Sequence, residues 1–295
     1  MNEIIKASEE GNIVRLRELL INPEIREIAA ADDNDALILA AKNGHLDIVK
    51  LLLEITSVQD NATARDNWAL RWAAKGGHLD IVKLLLEIPC VKNNAAANNN
   101  RDFNRALLLA AKYGHLDIVK LLLEILDVKD NAAALYNKAL KLAAENGHLA
   151  VVKLLLQIPS VKDNAADNDN GALISAAMFD HVEVVKLLLD IPSVKTNVTA
   201  GDNRALRWAA RGGHLEVVKL LLEIPHVKDN TAAKSIHNLK QILRSAALCG
   251  HLEVVKLLLE IPIIRQDVIE GNYDPLLKAV KNNHHTCSFL LASSI

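Results

Sequence analysis

The sequence predicts an all-α solenoid: about nine stacked helix–turn–helix repeats that form a single domain over residues 1–295, with the terminal repeats as caps. Three observations predict it. One twelve-residue phrase recurs in phase along the whole chain, an alanine-rich phrase precedes it at a fixed distance, and only 3% of residues are aromatic. Self-similarity with a period of a few tens of residues is the signature of stacked supersecondary units. A core poor in aromatics must be built from Leu, Ile, Val and Ala, as short stacked helices allow.

The recurring phrase is GHLDIVKLLLEI, first seen at Gly44 and repeated at Gly77 and Gly114. It returns as GHLAVVKLLLQI at Gly147, DHVEVVKLLLDI at Asp180, and GHLEVVKLLLEI at Gly213 and Gly250. Worn copies begin at Gly11 and Asn283. Successive steps are 33, 33, 37, 33, 33, 33, 37 and 33 residues, giving nine copies. In the Gly44 copy, Asp47, Lys50 and Glu54 fall at i, i+3 and i+7, a single polar stripe on an otherwise apolar helix. Such a helix buries most of its girth. Pairing along the stripe adds about 0.2–0.5 kcal/mol per pair.

A proline follows this helix in six copies (Pro23, Pro89, Pro159, Pro192, Pro225, Pro262), where it blocks continuation and sets the exit direction. The preceding helix reads Ala-Leu-x-x-Ala-Ala, as in Ala36-Leu37 with Ala40-Ala41, and its paired alanines permit close approach of neighbours. Asparagines two residues upstream (Asn34, Asn67, Asn104, Asn137, Asn170, Asn203) are predicted N-caps. Helices this short are marginal alone, since isolated ones need roughly 12–15 residues. Neighbouring copies must therefore cover them. The first copy is polar where inner copies are apolar (Lys6, Glu9, Glu10, Arg15, Glu18), and so is the last (His284, His285, Thr286, Ser288). Both are predicted to cap a complete stack.

A 33-residue unit containing A-A-x-x-G-H-L-x-V-V-K-L-L-L resembles the ankyrin repeat, so the solenoid is expected to be ankyrin-type throughout. Two departures stand out. The usual Thr-Pro-Leu-His opening of the first helix is replaced by sequences such as Trp68-Ala69-Leu70-Arg71, and the usual Gly-Ala-Asp after the second helix by Ile-Pro-Ser-Val-Lys-Asp-Asn variants. Both fall in the connector, which puts the family's β-hairpin finger in question; runs such as Asn94-Ala95-Ala96-Ala97 could form a helical turn instead. The connector style is similar to that of ankyrin proteins of intracellular bacteria delivered into host cells. The steps of 37 place four extra residues between Asn94 and Arg105 and between Asn230 and Gln241, either as contact elements bordering the groove or as tolerated loop insertions.

The resemblance implies a non-enzymatic scaffold that binds another protein. No GxGxxG, P-loop, HExxH or GxSxG motif is present, and neither a catalytic residue nor a cofactor is predicted. Eight histidines share one repeat slot, His45 through His284. Stacking spaces them about 10 Å apart, whereas zinc ligands lie about 2 Å from one ion; they are expected to bond backbone at the turn into the second helix, and no metal is predicted. The three cysteines (Cys90, Cys249, Cys287) lie far apart and read as reduced thiols. Apolar runs are too short to span a membrane, and residues 1–20 lack the pattern of a secretory signal. A cytoplasmic monomer is expected, with export into a host cytosol as the possibility raised by the bacterial likeness.

In ankyrin proteins the exposed side of the first helix lines a concave groove. Nine-residue windows over these helices, from 35–43 to 274–282, hold thirteen Lys or Arg and three acids, while the second helices typically carry two acids to one lysine. A basic inner face that steers an acidic partner is therefore expected despite a net charge of −2. The expected partner-binding residues are Lys42, Trp68, Arg71, Lys75, Lys112, Tyr113, Lys141, Met178, Phe179, Arg207 and Arg211. Met178 and Phe179 read either as an apolar anchor within a charged surround or, for Phe179, as filler beside Asp180. Trp72 and Trp208 occupy a slot otherwise held by Leu39, Leu109 and Leu142 and are expected to pack, whereas Trp68 is expected to be exposed. The alternative ligand is a polyanion, nucleic acid or phosphoinositide; the near-neutral charge and few aromatics argue against nucleic acid.

Overall fold

A computed structural model describes residues 3–92, 101–228 and 233–269. The described residues are helical with no strand among them. They group into two units, one up to Ala134 and the other from Leu135, and each is described by itself. The ninth copy, the Asn94–Ala97 run, His284, His285 and Cys287 lie outside the described residues.

Each fully described inner repeat contains three helices rather than the expected two. In the second copy they are Ala31–Asn43, Leu46–Leu53 and Thr56–Asp60. The connector, where a hairpin finger would sit, is this short third helix; its counterparts include Pro159–Asp163 and Pro192–Thr196. Proline starts it where one is present, whereas Thr56–Asp60 and Leu126–Asp130 form it without one. Pro159 and Pro192 take the first helical position, where no backbone N–H is required and the fixed φ suits a helix start. The same residue thus stops the second helix and starts the third. One valine per connector (Val58, Val161, Val194) is fully buried and fixes the third helix against the core.

First helices pack in sequence order. In the first unit Glu3–Glu10, Ala31–Asn43, Ala64–Gly76 and Arg101–Tyr113 lie side by side, and in the second Asp167–Met178, Ala200–Gly212 and Ala233–Leu248 do the same. Paired alanines such as Ala40, Ala41, Ala73 and Ala74 have no exposed surface, as close approach requires. Second helices bury Ile48, Val49 and Leu52 or their equivalents, each worth roughly 1.5–3 kcal/mol of transfer free energy. Their polar stripe faces water. Its i,i+3 pairs close in Lys83–Asp80, Lys120–Asp117, Lys186–Glu183, Lys219–Glu216 and Lys256–Glu253. Glu183 raises the Lys186 ammonium above its ordinary pKa by hydrogen bond and charge.

The conserved-slot asparagines are not N-caps. Asn34, Asn137 and Asn170 have left-handed φ (66°, 55° and 65°) and are buried. Their side chains donate instead of accepting, and they donate to the third helix of their own copy. Asn34 Nδ2 reaches Val58 O at 2.9 Å and Asn61 O at 3.0 Å; Asn137 reaches Val161 O and Asn164 O; Asn170 reaches Val194 O at 2.9 Å and Asn197 O at 2.7 Å. One amide thereby bonds two carbonyls at the C-terminal end of the third helix of its own copy.

The histidines tie the opposite end of the first helix. They bond backbone, as expected, but that of the preceding copy. Nε2 lies 3.0 Å from Glu9 O in His45, 3.1 Å from Lys42 O in His78, 2.9 Å from Lys75 O in His115 and 2.9 Å from Glu145 O in His181. The glycine that precedes most of these histidines serves the same joint. Gly44 ends its helix with φ 79°, and a Cβ there would meet Cε1 of His78 at 2.5 Å. Left-handed backbone and the next copy's imidazole together favour glycine at this slot.

Of the two insertions, residues 93–100 and 229–232 lie outside the described residues. The helix that follows the second insertion, Ala233–Leu248, has 16 residues where Ala200–Gly212 has 13.

Candidate binding face

The outward face of each first helix follows from what the helix buries. Ala69, Leu70, Ala73 and Ala74 are buried, so Trp68, Arg71, Trp72 and Lys75, at i, i+3, i+4 and i+7, share the opposite face. In the first unit this face lies between Asp35, Ile38, Leu39 and Lys42 of the copy before and Arg105, Leu108, Leu109 and Lys112 of the copy after.

A ladder of alternating cations and rings crosses these three copies. Lys42 Nζ stands 5.2 Å and Lys75 Nζ 4.4 Å from the centre of the Trp72 ring. Lys75 also stands 5.6 Å from the Tyr113 ring, and Lys112 5.5 Å from it on the same helix. Tyr113 in turn stacks on His115, with centroids 6.5 Å apart and planes inclined by 22°. The structure thus brings together Lys42, Lys75, Lys112 and Tyr113, and it adds Trp72, which the leucine slot had marked as packing. Trp72 is only half-buried, its rim open beside two ammonium groups. A cation–ring contact of this kind contributes about 0.5–1 kcal/mol at an exposed site. Its larger consequence is positional, since each ring holds long flexible lysines at a fixed spacing. Trp68 is also half-buried, under the Arg65 guanidinium at 5.4 Å, and not freely exposed as expected. Arg71 beside it is half-buried.

The second unit repeats the scheme less regularly. Arg211 lies 5.3 Å from the Trp208 ring, so Trp208 too is more than core filler. Arg207 and Lys141 are half-buried on the same kind of face. Met178 and Phe179 stand 37% and 47% exposed. Phe179 therefore does not fill space beside Asp180; the Met178 carbonyl is taken by His214 Nε2 at 3.0 Å, and Asp180 holds the left-handed position of the missing glycine with φ 61°.

The two sides of the repeat treat lysine differently. Second-helix lysines carry a carboxylate at 2.7–3.8 Å in five copies. Among the described residues, Lys42, Lys75, Arg207 and Arg211 of the first helices form no ion pair; Lys42, Lys75 and Arg211 face rings. A ring leaves the positive charge uncompensated, so these groups are available to an external anion. Among the described residues no group of three His, Cys, Asp or Glu could hold a metal, and no helix is long and apolar enough to cross a membrane.

Stacked helical repeats with neighbour-to-neighbour polar ties define a helical repeat protein. The particular family follows from its sequence model: the one described as ankyrin repeats (3 copies) matches residues 4–96, 88–167 and 140–232, and the chain belongs to the ankyrin repeat family. Ankyrin repeats generally mediate protein–protein interaction and are typically non-enzymatic binding scaffolds, and no catalytic family is indicated. Comparison with curated proteins gives no match.

Proposed function

We propose that the protein is a scaffold whose first-helix face binds an acidic, or mixed apolar and acidic, segment of another protein. The observation that carries this reading is the Lys42–Trp72–Lys75–Tyr113–Lys112 ladder, in which, among the described residues, Lys42 and Lys75 face rings and form no ion pair. An extended acidic segment, advancing about 3.3 Å per residue, would meet lysines of successive copies and pair with each. Complementary charge of this sort sets register and speeds encounter. The connector likeness to ankyrin proteins of intracellular bacteria favours a host protein as that partner, with the repeats over 1–295 acting as one scaffold.

The test is fluorescence anisotropy with a labelled polyglutamate peptide and the full chain. The triple reversal Lys75→Glu, Lys112→Glu and Arg211→Glu is expected to weaken binding by at least about a hundredfold, roughly 2.7 kcal/mol, with helicity by circular dichroism unchanged. Binding that survives the reversal sinks the proposal. Binding of a duplex oligonucleotide or a phosphoinositide vesicle, but not of the peptide, with affinity falling steeply as salt rises, would favour the polyanion reading instead.

A further inference from the structure

Each described copy entered by a 33-residue step begins its first helix with a left-handed turn, and most residues there suit it. The two positions before the asparagine are Asp32-Asp33, Asn168-Asp169 and Gly201-Asp202, all with φ between 53° and 61°. Asp, Asn and Gly tolerate this region; bulkier side chains are strained in it. Arg65 is one exception, and its reason is visible: it reaches Asp35 at 2.8 Å and Asp33 at 3.3 Å in the preceding copy.

The fifth copy places Leu135 and Tyr136 in this turn, with φ 56° and 58°. Among the described residues no hydrogen bond or ion pair offsets their strain. They are 63% and 75% exposed, and among the described residues the Tyr136 hydroxyl has no hydrogen-bond partner. Strained backbone carrying exposed apolar side chains at the tip of a connector is a cost to folding without a return in folding. Close by in sequence stand Lys138, exposed, and Lys141, half-buried on the outward face of the same helix.

We infer that Leu135 and Tyr136 form an apolar anchor for the partner segment, reading a leucine- or phenylalanine-like side chain whose neighbouring acid pairs with Lys138 or Lys141. The occupant is a mixed apolar and acidic protein segment: a purely acidic one would leave the pair uncovered, and a basic one would be repelled by the lysines. This deepens the proposed function and rests on it, since it supplies the apolar half of the recognition.

The experiment uses two labelled peptides of about twelve residues, roughly 40 Å when extended, one all glutamate and one alternating glutamate with leucine and phenylalanine. The wild-type chain is expected to bind the mixed peptide at least about tenfold tighter than polyglutamate, a margin of roughly 1.4 kcal/mol. The neutral double substitution Leu135→Asn and Tyr136→Asn, which suits left-handed backbone, should abolish that preference. It should leave polyglutamate binding unchanged and leave Tm equal or higher. A preference retained by the variant, a preference absent from the wild type, or a lowered Tm would each overturn the inference. So would sedimentation showing that the pair joins two copies of the chain. Failure of polyglutamate to bind at all defeats the basic-face reading alone, because the preference for the mixed peptide is scored separately.

Discussion

His78 Nε2 lies 3.1 Å from the carbonyl oxygen of Lys42, so a side chain that opens one second helix closes the first helix of the copy before it. His45, His115, His181 and His251 make the same tie within their own units. The His78→Ala variant should lose about 1–2 kcal/mol, read as a lower urea midpoint, while polyglutamate affinity stays within about twofold of wild type. A larger change in binding than in stability would assign the histidine to recognition.

Gly44→Ala should cost more, about 2–3 kcal/mol, because it adds both left-handed strain and a clash with the His78 ring 2.5 Å from the new Cβ. Combining it with His78→Ala should recover part of the loss, since only the clash is removed. Strict additivity in the double-mutant cycle would show that ring and glycine do not touch.

Asn170→Ala removes the side-chain donor to Val194 O and Asn197 O in a buried joint, leaving Asn197 O the Ala200 N–H. A loss of about 1–3 kcal/mol is expected, chiefly for the orphaned Val194 carbonyl. Asn170→Asp should be at least as damaging, because a carboxylate turned toward two carbonyl oxygens is repelled by both. Chemical denaturation decides; a tolerated Asp would mean that the amide donates nothing of consequence.

Much of the fold was legible because its cause is local in sequence. The GHLDIVKLLLEI pattern alone says which residues are buried, and Ile48, Val49 and Leu52 are. What is not legible is what joins segments far apart in sequence. Asn34 looks like an N-cap when read beside Asp35, and becomes a donor only when Val58, 24 residues on, is brought next to it. Proline was read as a stop, yet with Ser, Val and Lys after it the same residue starts a third helix. At the binding face, Lys42, Lys75, Lys112 and Tyr113 could be named from their slots. Trp72 was set aside because leucine fills its position elsewhere. The missed signal is the spacing itself: Trp72 and Lys75 lie at i and i+3, a separation that places side chains together on a helix surface.

Trp72→Leu restores the residue found at Leu39 and Leu109, and it tests the ladder separately from the fold. Stability should change by no more than about 1 kcal/mol, the scale of the lost ring contacts. Polyglutamate affinity should fall by about threefold to tenfold as Lys42 and Lys75 lose the ring that spaces them. Unchanged affinity would show that the lysines act without the ring.

Hydrogen exchange of the full chain, with and without a saturating acidic peptide, tests the binding face most directly. Slowed exchange is expected in the first helices, Ala64–Gly76 and Ala200–Gly212, with Leu79–Glu87 and Leu215–Leu222 unaffected. Protection confined to the second helices, where the lysines already have carboxylate partners, would contradict it.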